Sequence, residues 1–256
     1  MQNHKSLFGG GLGTLNVKPV RLELMPEAIP YHAQPFPVLQ AYEGVTKKEI
    51  ECLTNIGVIK KCHESEWAAP TFLQPKKTGD VRVLMDFWRL NKYLMCRPFP
   101  LPKISDLLQK LQGFKYAMAI DLSMGYYHIP LDAHSQHLCT TILPWGKYQY
   151  LRLPMGITNS PDIFQAIMMD ILGDLEYTRT YIDDILNTTY GSFDDHLEKL
   201  NEVLSRLKAA GFRANVWKCF FAEAQLEYLG YWLTCAGIQP QPKKVEAILR
   251  LSPPKT

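Results

Sequence analysis

Apolar and polar positions alternate along this chain with two periods, and segments of either kind follow one another from end to end. Ile50, Leu53 and Ile56 recur at helical spacing behind Thr46, and Gly57 closes that run, so a helix is predicted to open at Thr46. Thr71-Phe72-Leu73 and Val81–Met85 read as the arms of a β-hairpin whose tip, Lys76-Lys77-Thr78-Gly79-Asp80, is basic. Prolines stiffen residues 98–102, and a helix from Pro102 or Ser105 is expected to run through Leu107, Leu108 and Leu111 to Gly113. Residues 116–122 form an apolar run interrupted near its end by one acid, Asp121. That pattern predicts a buried strand with a carboxylate at its C-terminal end, where sheets tend to hold ligands. Strands are expected at 126–131, 138–143 and 148–153, and an amphipathic helix from Pro161 to Gly173. Two short strands then flank Asp183-Asp184. Ser192 caps a helix carrying Leu197, Leu200, Leu204 and Leu207 to Gly211. Strands at 219–221 and 226–233, the latter broken by Gly230, and a helix over 243–251 complete the pattern.

Chemistry enters at Tyr181-Ile182-Asp183-Asp184. Two adjacent carboxylates on a tight turn repel each other, and a shared divalent cation removes that penalty. A solvated Asp-Asp turn is the plain alternative. Asp194-Asp195 shows the ordinary case, acids just behind a Ser cap that complement the helix dipole. Asp121 lies 62 residues before Asp183. If its strand neighbours the hairpin in one sheet, three hard oxygen donors converge, a set that suits two Mg²⁺ ions and phosphoryl transfer. Around them the chain offers the basic flap with Lys76, Lys77 and Arg82, the aromatic pair Tyr126 and Tyr127, and a close-approach glycine, Gly156.

Composition narrows the class without naming it. The 256 residues are 46% apolar, ordinary for a globular protein, and the net charge is +3. Residues 205–256 hold eight Lys/Arg against three Glu, a local excess that could face a phosphate backbone. Six scattered cysteines lack the spacing of a disulfide framework or a zinc knuckle, and His134, His137 and Cys139 read as a polar loop entering a strand. No apolar run approaches the ~18 residues of a membrane span, and the start lacks a signal peptide's apolar core. These features predict an intracellular chain that is not secreted and meets no membrane.

Five blocks in order resemble the reverse transcriptases, most closely those of gypsy-type LTR retrotransposon Pol polyproteins. Tyr181-Ile182-Asp183-Asp184 is similar to their Tyr-x-Asp-Asp box, and residues 119–127 to their first catalytic block. Residues 153–165, Leu153-Pro154-Met155-Gly156 through Gln165, resemble the next block. Asp86-Phe87 with Leu90-Asn91 resembles the fingers motif, and residues 226–231 the primer grip. The resemblance covers roughly residues 25–250 and implies an α+β right-hand polymerase with fingers, a ferredoxin-like palm and a partial thumb. In that scheme 1–40 is an extended strap, 41–115 mainly fingers, 116–190 mainly palm with the catalytic hairpin, and 191–256 the rest of the palm, the primer grip and the start of the thumb or connection. It implies an RNA-directed DNA polymerase adding dNTPs to a primer on an RNA or DNA template, in a cytoplasmic particle or the nucleus. Asp121, Asp183 and Asp184 would be catalytic and, with the Leu122 carbonyl, would hold two Mg²⁺ ions, Mn²⁺ being an alternative. Lys76 or Lys77, Arg82, Tyr126, Met155 and Gly156 would bind the nucleotide, Tyr126 selecting dNTP over NTP. Tyr181, Gln165, Tyr228, Leu229, Gly230 and Lys218 would contact primer or template.

Trp88 departs from this family pattern, which carries Arg there, and Trp cannot make bidentate charged bonds. A catalytically inactive, nucleic-acid-binding relic is therefore a second reading, and an RNA-directed RNA polymerase a third that Tyr126 opposes. The expected context is the remainder of a Pol polyprotein with RNase H and integrase segments, of which this chain resembles a fragment or the product of a decayed element.

Overall fold

A computed structural model describes residues 4–75, 81–109, 111–241, 245–246 and 249–250. In chain order, helix α1 (Gln40–Asn55) is followed by strands β1 (Ile59–Cys62), β2 (Ala69–Pro75) and β3 (Val81–Met85). Short helices α2 (Trp88–Asn91) and α3 (Ile104–Leu108) precede β4 (Tyr116–Asp121). Then come α4 (Ala133–Leu138), β5 (Thr140–Leu143), β6 (Gly146–Tyr150) and α5 (Ser160–Leu172). The hairpin β7 (Thr178–Tyr181) and β8 (Asp184–Thr189) leads to α6 (Phe193–Ala210). Strands β9 (Phe220–Glu223), β10 (Gln225–Tyr228), β11 (Tyr231–Thr234) and β12 (Gly237–Pro240) follow.

The chain forms two compact units, each drawn from separate stretches of sequence. One comprises Gly11–Phe99 and Met124–Ile163. Its sheet has the order β1-β6-β5-β2-β3, antiparallel except where β2 runs parallel to β5. Buried Ile59, Phe87, Leu90, Ile129 and Tyr150 belong to its core. The residues before α1 join this unit through isolated bridges, Val20 to Leu131, Leu24 to Leu94 and His32 to Ala68. The other unit comprises Met1–Gly10, Pro100–Ser123 and Phe164–Thr256. It holds the antiparallel sheet β7-β8-β4-β9 and the three-stranded meander β10-β11-β12. Leu108, Leu111, Phe114, Ala117, Leu186, Leu226 and Leu233 pack into one cluster there.

Local signals placed most elements. Ser192 accepts the Asp195 amide at 3.2 Å, and Gly211 at φ 95° ends α6, as the cap pattern predicts. Asp195 also pairs with Lys199 one turn on, so the Asp194-Asp195 pair is a helix-start feature. Several boundaries differ. Helix α1 starts at Gln40, because the Thr46 hydroxyl bonds back to the Tyr42 carbonyl (2.7 Å) within the helix and does not cap one. Helix α3 stops at Leu108, since Gln109 turns extended at ψ 145°, and Leu111 reaches the core from outside it. The strand expected at 126–131 is a 3₁₀ turn, Gly125–His128, because Met124 at φ 58° reverses the chain just before it. The one expected at 138–143 is shortened because Asp132 caps α4, accepting the Ser135 amide at 2.8 Å. His134 and His137 therefore lie on a helix rather than a loop. Strand β12 carries no sequence signal of its own and forms by pairing with β11. The tip of the β2–β3 hairpin and most of the helix expected at 243–251 lie outside the described residues.

Candidate functional site

Pairing of β4 with β8 sets Asp121 directly opposite Asp184, and pairing of β7 with β8 sets Tyr181 on Asp184's other side. Side chains directly opposite in antiparallel strands stand about 4.5–5.5 Å apart at Cβ. Asp184 thus opens β8, while Ile182 and Asp183 form the two-residue turn. The sequence places both carboxylates at the tip; the structure keeps only Asp183 there. Ile182 adopts φ 55°, unusual for a β-branched residue and sustained only where surroundings over-determine it.

Gln165, on α5, supplies that constraint. Its Oε1 accepts the Ile182 amide at 2.7 Å, and its Nε2 donates to the Thr180 carbonyl (3.1 Å) and hydroxyl (3.2 Å). The expectation that Gln165 faces primer or template is corrected: its side chain is 0% exposed and wholly engaged in bracing the hairpin. Tyr228 is likewise buried, and its hydroxyl reaches the Asp184 carbonyl at 3.5 Å, a weak bond. Burial pushes that hydroxyl's pKa well up, so it stays a neutral donor. Leu229 (φ 47°) and Gly230 (φ 80°) close the β10–β11 hairpin, with Tyr228 paired to Tyr231. Positive φ at both central positions matches a type I′ turn, at the expense of strain in Leu229.

The carboxylates feel one another. Asp183 and Asp184 are exposed at the turn, but partial desolvation there raises the Asp183 pKa, with Asp121 adding to the rise and Lys218 opposing it. The same desolvation raises that of Asp184, and Asp183 and then Asp121 push it further. Lys218 Nζ stands 3.4 Å from Asp121 Oδ2. The sequence assigns Lys218 to primer or template; in the structure it is the partner of a candidate catalytic acid. Leu122 bridges Ala214 in a way that uses the Asp121 carbonyl and the Ser123 amide, leaving the Leu122 carbonyl out of that pairing. Among the described residues no three His, Cys, Asp or Glu side chains already form a metal cage. The donor chemistry nonetheless fits a hard divalent cation: three carboxylates on adjoining strand ends, two of them disfavoured as anions by their surroundings. A cavity of about 380 Å³ adjoins them, lined by Asp121, Asp184, Lys218, Phe220, Leu229 and Gly230.

In the other unit, Arg82, Met155 and Gly156 line one cavity of about 380 Å³ together with Met124 and Tyr127. Tyr126 is half-buried in the 3₁₀ turn beside them in sequence. Gly156 takes φ 87°, and a Cβ there would meet the Met85 carbonyl at 3.4 Å. Asn91 holds this loop from both sides: Nδ2 donates to the Gly156 carbonyl (2.7 Å) and Oδ1 accepts the Thr158 amide (2.9 Å). Its place in the fingers-like block was legible, its role was not. Asp86 accepts the amide of Trp88, the first residue of α2, at 2.9 Å. Trp88 is 54% exposed, with Lys92 Nζ 3.7 Å and Arg89 Cζ 5.1 Å from its ring centroid, so the ring carries two cations where a guanidinium was expected. Lys76 and Lys77 lie outside the described residues.

Comparison with known proteins agrees with these blocks. The family profile described as reverse transcriptase (RNA-dependent DNA polymerase) matches residues 74–233. The chain is 34% identical over 234 residues to the retrovirus-related Pol polyprotein from transposon opus of Drosophila melanogaster, covering 88% of this chain and 23% of that protein. It is 33% identical over 190 residues to the transposon Tf2-3 polyprotein of Schizosaccharomyces pombe, covering 73% of this chain and 14% of the relative. The chain thus spans a quarter or less of the length of these relatives. Among solved structures, the foamy viral protease-reverse transcriptase in complex with an RNA/DNA hybrid superposes with a TM-score of 0.90 at 24% identity, over 100% of this chain and 34% of that one. The fold is that of a reverse transcriptase, with the mixed α and β content implied by the sequence blocks. Among the described residues no helix is long and apolar enough to cross a membrane.

Proposed function

The chain belongs to the reverse transcriptase (RNA-dependent DNA polymerase) family, and on that premise we propose that it is the polymerase segment of a gypsy-type retrotransposon Pol polyprotein. It extends a primer 3′-hydroxyl with dNTPs on an RNA or DNA template. The observation that carries this reading is the β4–β8 register, which sets Asp121 against Asp184 with Asp183 on the adjoining turn.

Asp121, Asp183, Asp184 and the Leu122 carbonyl would hold two Mg²⁺ or Mn²⁺ ions, whose chemistry is to acidify the attacking hydroxyl and neutralise the leaving pyrophosphate. The protein's own groups do the rest. Arg82, with Lys76 or Lys77, holds the triphosphate. Met155 and Gly156 line the base and sugar, and Asn91 keeps that loop in place. Tyr126 lies under the deoxyribose, where its ring clashes with a 2′-hydroxyl. Tyr181 and the Leu229-Gly230 turn meet the nucleic acid, and Gln165 and Tyr228 keep the carboxylate hairpin in its strained shape.

Primer extension on a primed RNA template, with Mg²⁺ and dNTPs, tests the proposal. Incorporation by the wild-type chain and none above background by Asp183→Asn are expected. Wild-type protein no faster than Asp183→Asn would refute it, and a preference for NTPs over dNTPs would redirect it to RNA synthesis. Trp88 motivates a second reading, a nucleic-acid-binding relic. That reading requires an inactive wild type that Trp88→Arg restores.

A further inference from the structure

The three carboxylates are not electrostatically equal. Among the described residues Asp121 is the member of the trio held in an ion pair, by Lys218. That lysine is delivered by backbone, not by chance of a long side chain. The Asn215 amide donates to the Asp121 carbonyl at 3.1 Å, and the Ser123 amide donates to the Arg213 carbonyl at 3.1 Å. Residues 213–215 are therefore stitched along the end of β4. Asn215 then caps the 3₁₀ turn Val216–Lys218: its Oδ1 accepts the Trp217 amide (3.1 Å) and its carbonyl the Lys218 amide (3.0 Å). The turn that carries Lys218 is thus anchored to the residue whose carboxylate Lys218 meets. The ammonium lines the same cavity as Asp121 and Asp184.

We propose that Lys218 is a built-in counter-ion that occupies Asp121 until a divalent cation displaces it, so that metal loading and release of the Lys218 side chain are one coupled step. The proposal rests on the metal-binding reading above. The physical argument is competition. Asp121 cannot give the same lone pairs to an ammonium and to a metal, and a hard divalent ion bound by three carboxylates outbids one exposed ammonium. The ammonium also lessens the repulsion that three bare carboxylates would exert on one another before metal arrives. Because the Lys218 side chain is 63% exposed, it can swing into water once released, and the pair is screened by salt.

Mn²⁺ binding to the full chain, without nucleotide or nucleic acid, tests this by the loss of the free-ion electron paramagnetic resonance signal. Lys218→Met removes the charge and keeps the stem; Lys218→Gln is the second neutral variant, and Lys218→Arg keeps the charge. Either neutral variant is expected to bind Mn²⁺ about two- to fivefold more tightly than wild type, the range an exposed ion pair supports. The difference is expected to shrink as KCl is raised, while Lys218→Arg stays near wild type. Equal or weaker Mn²⁺ binding by folded neutral variants overturns the counter-ion role. The metal reading fails separately, if wild-type Mn²⁺ binding is unchanged by Asp183→Asn.

Discussion

Gln165→Leu is the substitution whose effect can be worked most directly from the structure. Leucine fills nearly the same volume, so little of the effect comes from a cavity. What is lost is three hydrogen bonds, to the Ile182 amide (2.7 Å), the Thr180 carbonyl (3.1 Å) and the Thr180 hydroxyl (3.2 Å). Each is worth about 1 kcal/mol net, and a donor or acceptor left buried without a partner costs about 1–3 kcal/mol more. The hydroxyl can turn elsewhere and the carbonyl keeps a second lone pair, so the Ile182 amide carries most of the penalty. The Ile182 amide alone then accounts for about 2–4 kcal/mol, a large part of the ~5–15 kcal/mol that holds a folded domain together. Ile182 at φ 55° adds direction: without its anchor the turn relaxes, and Asp183 moves with it. Urea unfolding gives the global number. Amide exchange at Ile182 gives the local one and is expected to quicken before the rest of the sheet opens. Thr180→Val, which loses the hydroxyl's bond from Gln165 and its weak contact to Met169 Sδ but keeps the Ile182 anchor, is the control and should cost about 1 kcal/mol. A loss below about 1 kcal/mol for Gln165→Leu, with Ile182 exchange unchanged, would refute the bracing role.

Three further outcomes are expected. His196 is buried with Nδ1 2.9 Å from the Thr189 hydroxyl, and burial lowers its pKa. The unfolded chain therefore binds the proton first, so its contribution is full above the unfolded value of about 6.5 and is lost as pH falls. Urea midpoints should drop between about pH 7 and 5, less steeply in His196→Gln, and an identical slope in both proteins would contradict the assignment. Leu7 is fully buried, and its carbonyl accepts the Ala214 amide at 2.9 Å, so Leu7→Ala should cost about 2–4 kcal/mol in a urea melt. A surface-like value under about 0.5 kcal/mol would show that the N-terminal stretch does not pack there. Asn91→Ala frees the Gly156 loop, and steady-state kinetics should show a dNTP KM raised about three- to tenfold with a smaller change in kcat. A fall in kcat alone would count against loop positioning.

Local chemistry made part of this molecule legible from residues alone. Ser192 and Gly211 announced the ends of α6 because a cap needs only neighbours a few residues away. The apolar run ending in Asp121, and the polar pair between strand-like flanks, marked the strand ends that carry the carboxylates, since alternation is a property of the strand itself. The Asp194-Asp195 pair was separable from Asp183-Asp184 on the same ground, a helix start against a hairpin. Tertiary structure decided the rest. Sequence allowed Asp121 to neighbour the hairpin, but only the β4–β8 register set it against Asp184, because pairing across 63 positions leaves no local trace. Gln165 reads in sequence as a polar residue free to meet a ligand. Its burial is fixed by where α5 packs on the β7–β8 turn, and the same glutamine on an open face would be solvated. Lys218 reads as one more basic residue in a basic C-terminal part. It becomes the partner of Asp121 because residues 213–215 are hydrogen-bonded along the end of β4, 97 positions from the lysine's counter-charge. The sequence by itself therefore determined which groups are candidates for the chemistry. The fold decided which of them touch, since a side chain's environment is set by strands and turns that distant residues bring to it.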